Sequence, residues 1–236
     1  MYREWAPDPA IAGRVTCLWT STATSAGTKL VLPDGSVDLI WGPDGPQVAG
    51  PDTGPQPVRM SPGDRYVGIR FRPGAVGEVF GVPVEALRDL RVPLAELGVL
   101  PELTAGTMRN APGVLPGLTA GTMQEALAVR LRATPAPDPA APAIAAALGA
   151  GKSVAEVAWE LGLGERQLHR RSLRAFGYGP KVLQRVVRFQ RALRLARRGT
   201  ALAEVAAASG YADQAHLANE VRRLAGVPLG RLLGRT

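Results

Sequence analysis

Ser153-Val154-Ala155-Glu156-Val157-Ala158, closing at Gly162, is answered 48 residues later by Ala201-Leu202-Ala203-Glu204-Val205-Ala206, closing at Gly210. Val154, Val157, Ala158 and Leu161 fall at helical spacing on one side of the first copy; Leu202, Val205, Ala206 and Ser209 do the same in the second. Small Ala158 marks the place where a following helix crosses closely, and the glycine permits the positive φ of a sharp turn. Ser153 with Glu156 three residues on is a capping box for the first helix. In both copies a second helix comes next, carrying polar and basic residues. That order is the sequence form of a helix-turn-helix, here in tandem.

The two second helices are predicted over about Glu165–Phe176 and Asp213–Leu224. In the first, Leu168 and Leu173 or Phe176 point inward, leaving Arg166, Gln167, His169, Arg170 and Arg174 for solvent or nucleic acid. Arginine can grip guanine with two hydrogen bonds and glutamine can do so with adenine, so the front of this helix suits base edges. In the second, Gln214, His216, Asn219, Arg222 and Arg223 form the polar face, with Asp213 at the positive end of the helix dipole. His216 is read either on that face or as packing for the turn. His169 has no second histidine or cysteine nearby, so no metal site is expected.

Between the units, Lys181–Arg198 reads as one continuous helix, roughly 27 Å long at 1.5 Å per residue. Its basic residues, Arg188 among them, are assigned to phosphate contact or to intramolecular pairing. Such a rod can hold two recognition helices about 34 Å apart, one turn of B-DNA.

The charge distribution agrees. The chain carries a formal +8, yet residues 151–236 hold 16 Lys/Arg against 6 Asp/Glu, while residues 1–150 hold 12 against 14. A polyanionic partner, double-stranded DNA, is implied for the C-terminal part alone. The single Cys17 excludes an intrachain disulfide framework. No run approaches the roughly 18 apolar residues of a membrane span, and Trp5, Pro7, Asp8 and Pro9 interrupt any leader-like segment. A cytoplasmic, nucleoid-associated protein without membrane contact is expected. No metal cluster, phosphate loop or nucleophile–base arrangement is evident, so neither an enzyme nor a cofactor is expected.

Upstream, short β-prone runs alternate with Pro/Gly turns. Arg14–Thr20 places Val15, Cys17 and Trp19 on one alternating face, Leu30–Leu32 and Ser36–Trp41 flank Pro33-Asp34-Gly35, Gln47–Ala49 is brief, and Gly50–Pro57 reads as a loop. In Tyr66–Phe71, Tyr66, Gly68 and Arg70 oppose Val67, Ile69 and Phe71. Helical turns are expected at 75–80, 84–90 and 92–97, and a closing helix at Gln124–Arg132. Gly98–Met108 recurs as Gly113–Met123 with only Glu102 changed, to Gly117, a local duplication in a tolerant connection. The fold expectation is α+β: an antiparallel β-rich, barrel-like domain with short helices over 1–132, a Pro/Ala linker at 133–142, and an all-α domain with two helix-turn-helix units over 143–236.

Trp5, Trp19, Trp41, Tyr66 and Phe71 either line an apolar pocket, with Asp38, Arg70 or Arg72 fixing polar groups, or make the small domain's core. The candidate ligand set is Trp19, Asp38, Trp41, Tyr66 and Arg70. Cys17, alone on its strand, reads as a core residue and not as an alkyl acceptor.

Residues 153–233 resemble the DNA-binding domain of AraC/XylS-type transcription regulators. The likeness is carried by Gly210-Tyr211-Ala212-Asp213-Gln214-Ala215-His216-Leu217 with Arg222, Gly226 and Pro228, and by Leu161-Gly162, Arg166, Leu168, Arg170 and Gly177-Tyr178-Gly179-Pro180. Departures are Ser172 and Val221, where an aromatic normally packs each recognition helix, Gly164 and Ala201 at cap positions, and Asn219. A buried aromatic replaced by serine is expected to cost several kcal/mol, on the order of a large-to-small core change. The front of the chain resembles a β-rich domain found ahead of this module in actinobacterial regulators, through Trp5-Ala6-Pro7, Leu32-Pro33-Asp34-Gly35 and Gly68-Ile69-Arg70-Phe71-Arg72-Pro73-Gly74. The resemblance implies a sequence-specific regulator controlled by a small molecule or partner at its N-terminal domain, with a homodimer as one form. The alternative is a ligand-independent architectural DNA-binding or interaction protein.

Overall fold

The computed structural model describes residues 1–104 and 120–234. Eight strands come first: β1 (Tyr2–Trp5), β2 (Val15–Thr22), β3 (Gly27–Val31), β4 (Asp38–Gly42), β5 (Gly45–Ala49), β6 (Gln56–Met60), β7 (Arg65–Phe71) and β8 (Arg91–Pro93). Six form one antiparallel sheet in the order β1-β2-β7-β4-β5-β8, and β3 pairs with β6 as a separate ribbon. The α+β reading holds, but the barrel-like closure does not. A barrel needs a ladder from first strand to last, with strands long enough to tilt and stagger. Here the terminal strands β1 and β8 have four and three residues, and no ladder joins the ribbon to the sheet.

One face of the sheet builds the N-terminal core. Leu18, Leu39, Trp41, Val48, Ile69 and Phe71 pack there against Val79, Phe80 and Leu87, and against Met123 and Leu127 of α1 (Ala120–Arg132). The expected Val15-Cys17-Trp19 face is broken by a register shift between Val15 and Cys17. The extra residue of a bulge reverses the facing of every later residue in its strand, so Val15 and Leu18 enter the core while Trp19 lies on the opposite face. No helix forms at 75–80, where Gly77 holds φ 57°. The next two expected helices are single 3-10 turns at Val84–Leu87 and Leu94–Leu97, each begun after a proline. Three strands arise in segments not read as strands: β8 at the front of an expected helical turn, held by β5, and two more. β1 is exposed throughout and held by β2, while β6 falls in and beyond the expected loop and is held by β3 despite Pro57. Residues 105–119, which take in parts of both copies of the 98–108/113–123 duplication, lie outside the described residues.

The C-terminal part comprises α2 (Ala141–Gly149), α3 (Val154–Glu160), α4 (Glu165–Phe176), α5 (Pro180–Arg197), α6 (Leu202–Ala208), α7 (Gln214–Ala225) and α8 (Leu229–Leu232). The capping box of Ser153 and Glu156 is present, and Asp213 accepts from the His216 backbone N–H at 2.7 Å to start α7. Two cores share α5. Leu183 and Val186 pack with Val157, Leu168 and Phe176 of the first unit; Phe189, Ala192, Leu193 and Ala196 pack with Val205, Leu217 and Val221 of the second. Each fully buried Val, Leu or Phe among these contributes roughly 1.5–3 kcal/mol, so the rod and both units form one tightly joined body. Ser172 is fully buried, and its hydroxyl donates to the Tyr178 carbonyl at 2.8 Å. The missing aromatic is thus answered by a satisfied polar contact, not by an orphaned hydroxyl.

The two parts are packed together. A Cβ at Gly74 would stand 2.8 Å from Phe176 Cε1, and one at Gly177 would stand 2.8 Å from Pro51 Cγ and 3.0 Å from the Val84 carbonyl oxygen. Gln190 Nε2 donates to the Pro33 carbonyl at 2.6 Å. Leu32 lies against the second unit's core, and Pro55 lies against Gly226. Between α1 and α2, Asp138 pairs with Arg171 at 3.2 Å, and Arg14 donates to Thr134 Oγ1 and the Pro135 carbonyl.

Candidate nucleic-acid interface and ligand cavity

Helix α4 buries Leu168, Ser172, Ala175 and Phe176, which leaves Arg166, Gln167, His169, Arg170 and Arg174 exposed. Gln167 is partly committed, since its Oε1 accepts from the Gly164 backbone N–H at 2.9 Å and caps the helix. Its amide N–H groups stay available. Helix α7 buries Leu217, Val221, Leu224 and Ala225 and exposes Gln214, His216, Asn219, Arg222 and Arg223. His216 also packs the turn: Nδ1 accepts from the Ala212 N–H at 3.3 Å, and the ring stands edge-on to Tyr211 at 5.3 Å between centroids.

Arg188 sits differently from the other arginines of the set. Nε donates to the Ser209 carbonyl at 3.0 Å, Nη2 donates to the Gly210 carbonyl, and the guanidinium lies 4.4 Å over the Tyr211 ring. A cation there meets the negative end of α6. Arg185 likewise turns inward, to Glu220 at 3.0 Å. Position along the rod does not separate these inward arginines from the outward Arg194 and Arg198; only the partner's location does. Two features of the first unit have no signal in local sequence: Trp159, 84% exposed on the outer side of α3, and Arg171, paired with Asp138.

The sheet face away from the core floors a cavity of about 830 Å³, walled by the β3–β6 ribbon and closed by Gln190, Leu193 and Arg197 of α5. Trp19, Asp38, Tyr66 and Arg70 of the candidate ligand set line it. Trp41 does not: it is fully buried on the opposite face, with Nε1 donating to the Leu103 carbonyl at 3.2 Å. One residue along β4 changes the face, so Trp41 belongs to the core. Phe71 is also core, Trp5 is 38% exposed on the edge strand, and Arg72 donates outside the cavity to the Ala12 carbonyl.

Two cross-strand glycines make room for the floor's aromatics. Gly68, paired with Trp19, would place a Cβ inside the van der Waals envelope of Trp19 Cε2, and Gly42 would place one 2.8 Å from Tyr66 Cε1. Arg70 forks Asp38 through 3.1 and 2.9 Å bonds and lies 3.8 Å from Asp34. Burial works against the Arg70 charge, but Asp38 beside it prevails and holds the guanidinium above its usual range. Arg91 forks Asp52 at 2.9 and 2.7 Å. Lys29 has no carboxylate within ion-pair distance among the described residues. Its Nζ lies 5.1 Å from the Tyr2 ring centre, and burial, aided by Arg70, lowers its pKa. Sequence spacing gave no sign of Lys29, Arg91 or the α5 residues, because tertiary packing alone brings them together. Among the described residues no group of three His, Cys, Asp or Glu could hold a metal, and no helix is long and apolar enough to cross a membrane.

Residues 157–235 match a family model described as a helix-turn-helix domain, and residues 3–93 match one described as a domain of unknown function. No curated protein matches the chain. Among solved structures, a single-site variant of apo ToxT from Vibrio cholerae aligns over 92% of this chain and 96% of its own, with TM-score 0.51 and 12% identity. ToxT bound to an unsaturated fatty acid aligns over 90% and 96%, with TM-score 0.44 and 11% identity. A probable AraC family transcriptional regulator from Rhodopseudomonas palustris aligns over 40% of this chain and 93% of its own, with TM-score 0.34 and 23% identity.

Proposed function

We infer that this chain, a β-rich domain packed on tandem helix-turn-helix units, is a sequence-specific transcription regulator of the AraC/XylS type, controlled by a small molecule held between its two parts. The carrying observation is the shared wall of the cavity: α5, the helix that belongs to both helix-turn-helix cores, closes a space floored by the N-terminal sheet. A ligand there touches sensor and rod at once.

The cavity's chemistry selects a compact, partly apolar molecule that is neutral or singly anionic. Asp38 and Asp52 are already forked by arginines, so a cationic ligand gains little from them, while Lys29 has no carboxylate within ion-pair distance among the described residues. The ribbon transmits occupancy. Its roots at Leu32 and Pro55 rest on the second unit, whereas Phe176 and Gly177 lock the first unit to the N-terminal core. Ligand bound under the ribbon changes how α7 is presented relative to α4, which favours one arrangement of the pair on DNA. Arg166, Arg170 and Arg174 supply the larger share of affinity, since α7 carries fewer cations. The protein acts on chromosomal DNA in the cytoplasm, with the N-terminal part as the region of any self-association.

Selecting bound sequences from random DNA, then titrating small-molecule fractions by anisotropy, tests this reading. Ile40→Trp, which fills the cavity floor, is expected to abolish the small-molecule response and leave basal operator affinity within about threefold, a shift under 1 kcal/mol. Equal affinity for random and selected DNA would instead mark an architectural DNA-binding protein.

A further inference from the structure

A second crevice opens on another side of the junction. It measures about 430 Å³ and is lined by Thr53, Arg88 and Asp89 of the N-terminal part and by Tyr178, Gly179, Val182, Arg185 and Arg223 of the helical part. It shares no lining residue with the larger cavity.

Three guanidinium groups meet there from three elements. Arg88 comes directly after the 3-10 turn at Val84–Leu87, Arg185 stands on α5 and Arg223 on α7. The acids present cannot serve all three. Asp89 spends its oxygens on Thr53, at 2.7 Å from the backbone N–H and 2.8 and 3.1 Å from Oγ1. Glu220 takes Arg185 at 3.0 Å and Arg223 only at 3.9 Å. Arg88 makes one long bond, 3.4 Å, to the Gly177 carbonyl. A guanidinium offers five N–H donors, and most of those around this crevice are unspent. Beside them lies the start of the 18-residue helix α5, capped by no side chain, where the dipole also favours an anion.

We propose that this crevice is an oxyanion site for a phosphate group, clamped between Arg88 of the N-terminal part and Arg185 and Arg223 of the DNA-binding part. Planar guanidinium forks match the oxygens of a tetrahedral phosphate, which explains convergence of arginines and not lysines. A phosphate seated there ties the two parts together and steadies α7 against the sensor. The group comes either from a free phosphorylated small molecule or from the DNA backbone, and the two sources are separable.

Inorganic phosphate is titrated calorimetrically into the full chain at constant ionic strength, with chloride as control, alongside Arg88→Gln and Arg223→Gln, which remove the charge but keep a polar side chain; circular dichroism checks the fold. Salt dependence of binding to selected DNA is measured on the same proteins. For a free ligand, phosphate binds the parent chain and weakens at least tenfold in both variants, with the DNA salt slope of Arg88→Gln unchanged. For a backbone phosphate, free phosphate does not bind, while Arg88→Gln lowers the salt slope by about one. Phosphate binding that both variants retain undiminished, or the absence of both effects, overturns the proposal. Neither result depends on whether the larger cavity takes an effector.

Discussion

Trp19 lies across Gly68, its partner on the neighbouring strand, so closely that a Cβ at position 68 would overlap the indole. The indole can therefore form the cavity floor only because its partner lacks a side chain. Gly68→Ala should push Trp19 into the cavity, costing about 1–3 kcal/mol as overpacking does. A lowered unfolding midpoint, with a changed emission spectrum that Trp19→Phe abolishes, is the expected result. An unchanged spectrum would show that the indole does not rest there.

Arg170 stands exposed on α4, without an intramolecular ion pair among the described residues. Arg170→Ala is expected to weaken operator binding at least tenfold at about 0.1 M salt, as loss of a good base or phosphate contact does. Anisotropy titration of a folded variant checks this. Undiminished affinity would remove Arg170 from the interface.

Arg188 is expected to act through the second unit's turn. Arg188→Ala loses two carbonyl contacts and the stacking on Tyr211, a loss of about 1–3 kcal/mol. Thermal unfolding should fall and DNA affinity with it, while the dependence of log K on log salt keeps its slope. A slope reduced by about one, at unchanged stability, would instead make Arg188 a phosphate contact.

Gly177 ends α4 at φ 77° with Pro51 and the Val84 carbonyl pressed against it. A side chain there meets both the wrong backbone region and a wall. Gly177→Ala should loosen the contact between the N-terminal part and the first unit. Calorimetry is expected to show two separated transitions where the parent chain shows one, and a single transition at the parent midpoint would count against this junction.

Burial pushes the Cys17 thiol up to about 11. Because the folded value lies above the ordinary one, stability from this group is intact below the unfolded pKa of about 8.5. It is lost progressively as pH rises from there towards the folded value, since only the unfolded chain ionises in that window. At pH 8 a disulfide reagent should modify the native thiol at least a hundredfold more slowly than the denatured one. Rapid native labelling would restore a reactive role for this cysteine.

Much of the helical half was legible from the sequence. Local periodicity, caps and turn glycines specify α3–α4 and α6–α7 within a residue or two, because short-range hydrogen bonding sets helix boundaries. The β-rich half was less so. β1 and β6 exist through pairing with distant strands, the bulge in β2 reverses the face of Trp19, and the sheet stays open. None of these has a signature in neighbouring residues. Among site residues, exposure of the α4 set came from helical phase, whereas the inward turn of Arg188 and the core position of Trp41 did not.

From the linear chain come two helix-turn-helix units, a rod between them and a positive charge concentrated at one end, all properties carried by residues a few positions apart. Folding alone decided that α5 is also the wall of a cavity and that the ribbon's roots touch the second unit. It also decided which arginines face solvent and which spend themselves on neighbouring carbonyls and carboxylates. Those outcomes depend on contacts across a hundred residues or more, such as Gln190 with Pro33, and side-chain burial there depends on where whole elements come to rest.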